Sequence, residues 1–154
     1  QHTPENRFPA IFFLEPYLVN YLLVREDRSI MSHKKCARDF GVVLFLIGLL
    51  ACIPGLTLDD YFLGVFKVNL STNGLHFITG LIGYLLSHSS LKACKIYFQV
   101  VGLLYGVIAI LGFGYGDADI LDTFANNMAD TWVHLIICLL SLYLGFLYKS
   151  TRKR

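Results

Sequence analysis

Two histidines, His76 and His134, have the most capacity for chemistry in this chain, and they occupy equivalent places in two similar stretches. His76 belongs to the series Asn73, His76, Gly80, Gly83, Ser87, and His134 to the series Thr131, His134, Cys138, Ser141, Gly145. Both series run at spacings of 3, 4, 3 and 4, the second 58 residues after the first. On an α-helix that alternation draws each series onto one narrow stripe, with apolar residues covering the remaining surface. An imidazole on such a helix can handle a proton, ligate a metal or a haem, or simply hydrogen-bond to a neighbouring helix. Two strong ligands fall short of the usual metal centre, so neither a metal nor a cofactor is expected.

The residues beside the histidines are polar. Asn69, Asn73, Asn127 and Asp130 suit helix capping and loop closure. Together with His76 and His134 they also suit a small polar vestibule at the outer face, with Asp130 hydrogen-bonded to a histidine. The rest of the two stripes (Gly80, Gly83 and Ser87; Cys138, Ser141 and Gly145) is a packing seam that lets backbones approach closely. Catalytic residues are not expected. The chain lacks a Ser/His/Asp or Cys/His arrangement, a phosphate-cradling glycine loop and H-E-x-x-H. Gln99 is a lone amide inside an apolar run. Cys36, Cys52, Cys94 and Cys138 form no C-x-x-C pair, so no disulfide framework is expected. Asn69-Leu70-Ser71 matches a glycosylation sequon, a pattern that chance supplies readily.

The elements that carry these residues read as membrane spans. Hydrophobic residues make up 55% of the 154 and charged residues only 16%, well to the apolar side of soluble domains. Mean hydropathy is +0.57. Uncharged runs predict four spans, at about 40–56, 72–87, 96–115 and 131–148. Pro54-Gly55 is expected to end the first, Ser71 or Asn73 to cap the second, and Asp130 to cap the fourth. Tyr61, Phe62 and Phe66 suit the headgroup layer. Nine Lys and Arg fall in Ser32–Arg38, His88–Lys95 and Lys149–Arg154, whereas the intervening loops hold only Lys67 among their acidic residues. The positive-inside rule then places both termini in the cytoplasm. Residues 1–30 read as an extension that is interfacial, or not translated natively if synthesis begins at Met31.

The halves repeat. A shift of 61 aligns Gly41, Ile47, Gly48, Ala51 and Gly55 with Gly102, Ile108, Ala109, Gly112 and Gly116, and a shift of 58 aligns Asn69 with Asn127. The fold class expected is therefore an all-α integral membrane protein of four transmembrane helices. It is built from two repeated helical hairpins in parallel topology. In such a bundle the two seams can face each other.

The stretch Phe40–Tyr148 resembles the small bacterial membrane family called domain of unknown function 4383. GVVLFLIGLLACIPGL, VNLSTNGLHFITGLIG, VVGLLYGVIAILGF and NNMADTWVHLIICLL carry the resemblance. Val68, Asn69, Asn73, His76 and Gly80 match its first half; Asn127, Ala129, Asp130, His134 and Leu135 match its second. Thr131 and Cys138 stand where Asn and Gly are usual, and a further histidine before His76 is missing. The resemblance implies a four-helix protein of the bacterial cytoplasmic membrane with unassigned activity.

These readings favour a structural or accessory membrane protein, not an enzyme, that acts by helix–helix association. The bilayer and a second copy or a membrane protein are its expected partners, and no nucleic acid is expected. The alternatives are a ligand- or proton-handling bundle with its vestibule at His76 and His134, and a metal- or haem-binding redox protein.

Overall fold

The computed structural model describes residues 32–149. The expected N-terminal extension and most of the basic tail lie outside them. The described residues are mostly helical, with four α-helices: α1 (His33–Leu50), α2 (Leu70–Ser87), α3 (Leu91–Tyr115) and α4 (Met128–Leu142). The last runs into one π-helical segment, Tyr143–Leu147.

Two helical segments, Leu91–Tyr115 and Met128–Leu147, are long and apolar enough to cross a membrane, with mean hydropathy 2.1 and 1.7. The other two are less apolar for visible reasons. The first turns of α1 carry Lys34, Lys35, Arg38 and Asp39, and α2 carries Asn73, His76 and Thr79. Large apolar side chains cover the outer surface, among them Val43 on α1, Ile78 on α2, Ile110 on α3 and Leu139 on α4.

Several boundaries differ from the sequence expectation. α1 begins at His33, seven residues before the apolar run, because Ser32 caps it by accepting from the Lys35 amide at 3.2 Å. It ends at Leu50, ahead of Pro54-Gly55. α3 begins at Leu91, where Ser90 accepts from the Ala93 amide, so Lys92 and Lys95 belong to a helix and not to a connection. α2 and α4 are capped by Asn69 and Asn127, not by Ser71, Asn73 or Asp130.

The loop expected to lie in the headgroup layer folds into a small antiparallel sheet of β1 (Thr57–Leu58), β2 (Tyr61–Phe62) and β3 (Phe66–Lys67). Leu58 pairs with Tyr61, leaving Asp59-Asp60 as a two-residue hairpin loop with φ of 49° and 65°. Two consecutive positive φ values make the turn that suits strand twist, and aspartate tolerates them better than most residues. Phe62 turns inward and packs with Ala51 and Val68.

Packing within each hairpin is close. A Cβ added at Gly41 would sit 2.5 Å from the Tyr84 amide nitrogen, and one at Gly48 2.5 Å from that of Phe77. One at Gly80 would collide with the backbones of Phe45 and Gly41. In the second hairpin, Gly102 faces Leu142, Gly106 faces Cys138 and Gly145 faces Gln99. The stripes of α2 and α4 therefore pack chiefly on the glycine-bearing helix of their own hairpin, which corrects the expectation that the two seams pair. Glycine against glycine lets two backbones touch, and α1 and α3 supply the matching glycines.

These contacts set a testable contrast. Gly48→Ala and Gly80→Ala are expected to cost about 1–3 kcal/mol by overpacking. Gly74→Ala and Gly114→Ala, where nothing lies within 4 Å, should be neutral or gain up to about 1 kcal/mol in helix propensity. Thermal unfolding of the detergent-solubilised protein measures both.

Candidate functional site

The N-terminal ends of α2 and α4 are built alike. The Asn69 Oδ1 accepts from the Thr72 amide at 2.9 Å, and the Asn127 Oδ1 from the Asp130 amide at 2.9 Å. Each amide group then uses its NH2 on the other half of the chain. Asn69 Nδ2 donates to the Thr123 carbonyl at 2.9 Å, and Asn127 Nδ2 donates to the Val65 carbonyl at 2.7 Å. Each asparagine thus starts one helix and ties down the loop that precedes the other.

Further bonds close the same layer. The Asp130 carboxylate accepts from the amides of Asn127 at 3.1 Å and Lys67 at 3.0 Å. It is a member of the capping box and not the cap itself. Lys67 Nζ meets Asp119 at 2.7 Å, and this carboxylate holds the Lys67 ammonium above its ordinary pKa. Thr72 Oγ1 donates to the Ala125 carbonyl at 3.3 Å. The acidic loop is therefore partly a clasp on the first loop, not wholly a solvated arm. Asp130 makes its bonds in this layer, and no bond joins it to either histidine, contrary to the sequence expectation.

Beneath the layer lie the histidines, each seven residues after its capping asparagine, or about 10 Å down the helix at 1.5 Å per residue. Equal caps give equal depths. Both are buried, at 8% and 3% exposure for His76 and His134. Their ring centroids are 5.7 Å apart with planes inclined at 25°. Tyr105 of α3 completes a triangle, 5.7 Å from His76 and 5.5 Å from His134, with its ring at 70° and 61° to theirs. α2 and α4 thus meet through the histidines, although their glycines do not pair.

The hydrogen bonding of this triangle is incomplete. His76 Nδ1 lies 2.9 Å from the Thr72 carbonyl. A carbonyl only accepts, so this nitrogen carries the proton and, in the neutral ring, leaves Nε2 with a free lone pair. His134 Nδ1, Tyr105 Oη and Ser141 Oγ are buried with no hydrogen-bond partner. Tyr105 Oη faces the Thr79 side chain without reaching hydrogen-bond geometry, and the Thr79 hydroxyl donates to the Leu75 carbonyl at 2.7 Å.

The remaining expected site residues are placed as follows. Asn73 is buried and directs its Nδ2 toward Cys52 Sγ at 3.6 Å. Gly83 lies against the Tyr97 ring, and Tyr97 Oη donates to the Thr79 carbonyl. Ser87 Oγ donates to the Tyr84 carbonyl at 2.6 Å, and Cys138 is buried opposite Gly106. The structure therefore joins Asn69, Asn127 and Asp130 in the outer layer and His76 with His134 below it. Gly80 and Gly145 are spent on packing elsewhere.

Tyr105 is the site residue that the sequence reading missed. It lies between Gly102 and Ala109, on the buried stripe of α3. A large phenol among small residues at helical spacing was the available signal. His33 was missed too; its Nε2 donates to the Leu144 carbonyl at 3.1 Å, where the π-helical segment frees a carbonyl for it.

Among the described residues, the fold and site together define a helical protein with two helices long and apolar enough to cross a membrane and a buried polar cluster of His76, Tyr105 and His134. A family model described as Domain of unknown function (DUF4383) matches residues 34–147. The chain belongs to that family. No match was found among curated proteins or among solved structures.

The double use of asparagine gives a graded prediction. Asn69→Asp keeps the capping oxygen and loses the bond to Thr123, at about 1 kcal/mol. Asn69→Ala loses both, at about 2 kcal/mol. Equal melting temperatures for the two variants would contradict the dual role.

Proposed function

We propose that this chain is a four-span integral membrane protein with both termini cytoplasmic, and that it binds a small polar species at His76, His134 and Tyr105. One observation carries the binding reading: His134 Nδ1 and Tyr105 Oη are buried without partners beside a second imidazole. An unsatisfied buried polar atom costs about 1–3 kcal/mol, so a fold that retains several has a use for them or fills them.

The membrane reading draws support from the exposed apolar side chains on all four helices and from α-helices of 18, 18, 25 and 15 residues, the last extended by the π-helical segment. The lysines and arginines of α1, of the first turns of α3 and of the tail supply the inward bias. An accessory role through helix–helix association draws less from the geometry. Its small-residue seams are filled within the chain, which leaves the polar triangle as the feature that packing does not explain.

Two measurements test this. In cells expressing the protein with its native cysteines replaced, a membrane-impermeant thiol reagent is expected to label Leu121→Cys and not Ser89→Cys; the reverse pattern would invert the topology. Tyr105→Phe removes an unpartnered hydroxyl and no hydrogen bond, so the ligand-free protein is expected to gain about 1 kcal/mol. A clear loss of melting temperature would mean that the phenol is structural, and the binding reading would fail.

A further inference from the structure

The triangle of rings narrows what the site can hold. His76, His134 and Tyr105 pack with centroids 5.5–5.7 Å apart, and Tyr105 lies edge-on to both imidazoles. A porphyrin plane between the histidines would have to pass through the Tyr105 ring. Rings this close together suit a species one atom across. If a single ion bonds both imidazoles at about 2.0 Å, with each nitrogen about 1.1 Å from its ring centre, the two centres stand no more than about 6.2 Å apart. The observed 5.7 Å lies inside that limit.

The outer hydrogen bonding agrees. His76 gives its Nδ1 proton to the Thr72 carbonyl, which orients the ring and leaves Nε2 as a donor lone pair. Metal-bound histidines are held in this way, with the second ring nitrogen anchored on a carbonyl or carboxylate. His134 Nδ1 and Tyr105 Oη are uncommitted and buried. Asp130, the acid nearest in sequence to His134, is engaged by two backbone amides in the layer above.

We infer that His76, His134 and Tyr105 form a site for one transition-metal ion of the imidazole-preferring class, with monovalent copper the species it suits best. The imidazoles bind through nitrogen and the phenol oxygen is a weaker third donor. This deepens the binding reading above and rests on it. Imidazole suits copper and zinc among the available cations. The donors here are neutral and deeply buried, where each added unit of charge is costly to desolvate, so a singly charged ion fits better than a divalent one.

Full-length protein, purified in detergent and stripped with chelator, is titrated with Cu(I) under reductant against a chromogenic competitor, and separately with Zn(II). One Cu(I) per chain is expected, with affinity at least tenfold lower in His76→Gln and in His134→Gln and several-fold lower in Tyr105→Phe. Glutamine retains polarity and much of the volume, and each variant is first shown to melt cooperatively. X-ray absorption should show nitrogen and oxygen neighbours around copper. One Zn(II) bound with the same residue dependence supports the assigned class. Sulfur neighbours, which would place the ion on the cysteines, would overturn the assignment, as would binding unchanged in the double glutamine variant. Folded wild type that takes up neither ion would also overturn it. If no ion binds but Tyr105→Phe stabilises the protein, the metal assignment falls and the polar-site reading stands. If Tyr105→Phe destabilises it, both fall.

Discussion

Two asparagine side chains govern the outer half of this molecule, because each does two incompatible-looking jobs with one amide. The carbonyl oxygen of Asn69 or Asn127 caps its own helix, and the NH2 reaches the loop of the other hairpin. Aspartate caps a helix equally well but has no hydrogen to send across. The start of α2 is thereby tied to the start of α4. Since His76 and His134 each follow their asparagine by seven residues, the same bonds bring the two imidazoles level.

Below this layer, association changes character. In the membrane setting proposed for this chain, apolar surface gains little from being hidden, so helices adhere through close van der Waals contact. Gly41, Gly48 and Gly80 supply that contact in the first hairpin, and Gly102, Gly106 and Gly145 in the second. The backbones nearly touch, which uses up the small-residue stripes inside the chain. What remains outside is a wall of Val, Leu, Ile and Phe.

The triangle of His76, Tyr105 and His134 runs against this economy. Each ring would be easier to accommodate as leucine or phenylalanine at the same depth. Among the described residues the fold satisfies most of its buried polar groups, including Gln99 on the Gly145 carbonyl and Asn126 on the Gly116 carbonyl, yet leaves His134 Nδ1 and Tyr105 Oη of this region unpartnered. The outer clasp of Lys67, Asp119 and Asp130 closes over the same end of the bundle.

The sequence alone determined what is encoded within a few residues. Alternation of 3 and 4 marked the stripes of α2 and α4, apolar runs located α2 and α4 (with its π-helical segment) to within about three residues but α1 and α3 only to within about seven, and the polar end at His76 and His134 stood out against its surroundings. Boundaries shifted where a cap outweighed hydropathy, as Ser32 does in starting α1 among charged residues. The sheet at Thr57–Lys67 was hidden because its strands are two residues long, too short for any periodicity. Partners across the chain were decided only by the tertiary structure. A stripe of small residues says that something comes close but not which helix, and here the matching glycines of α1 and α3 took that place. Tyr105 likewise looks like any lipid-facing tyrosine until α3 turns its stripe inward. The pairing of faces depends on contacts between residues tens of positions apart, and no local pattern records them.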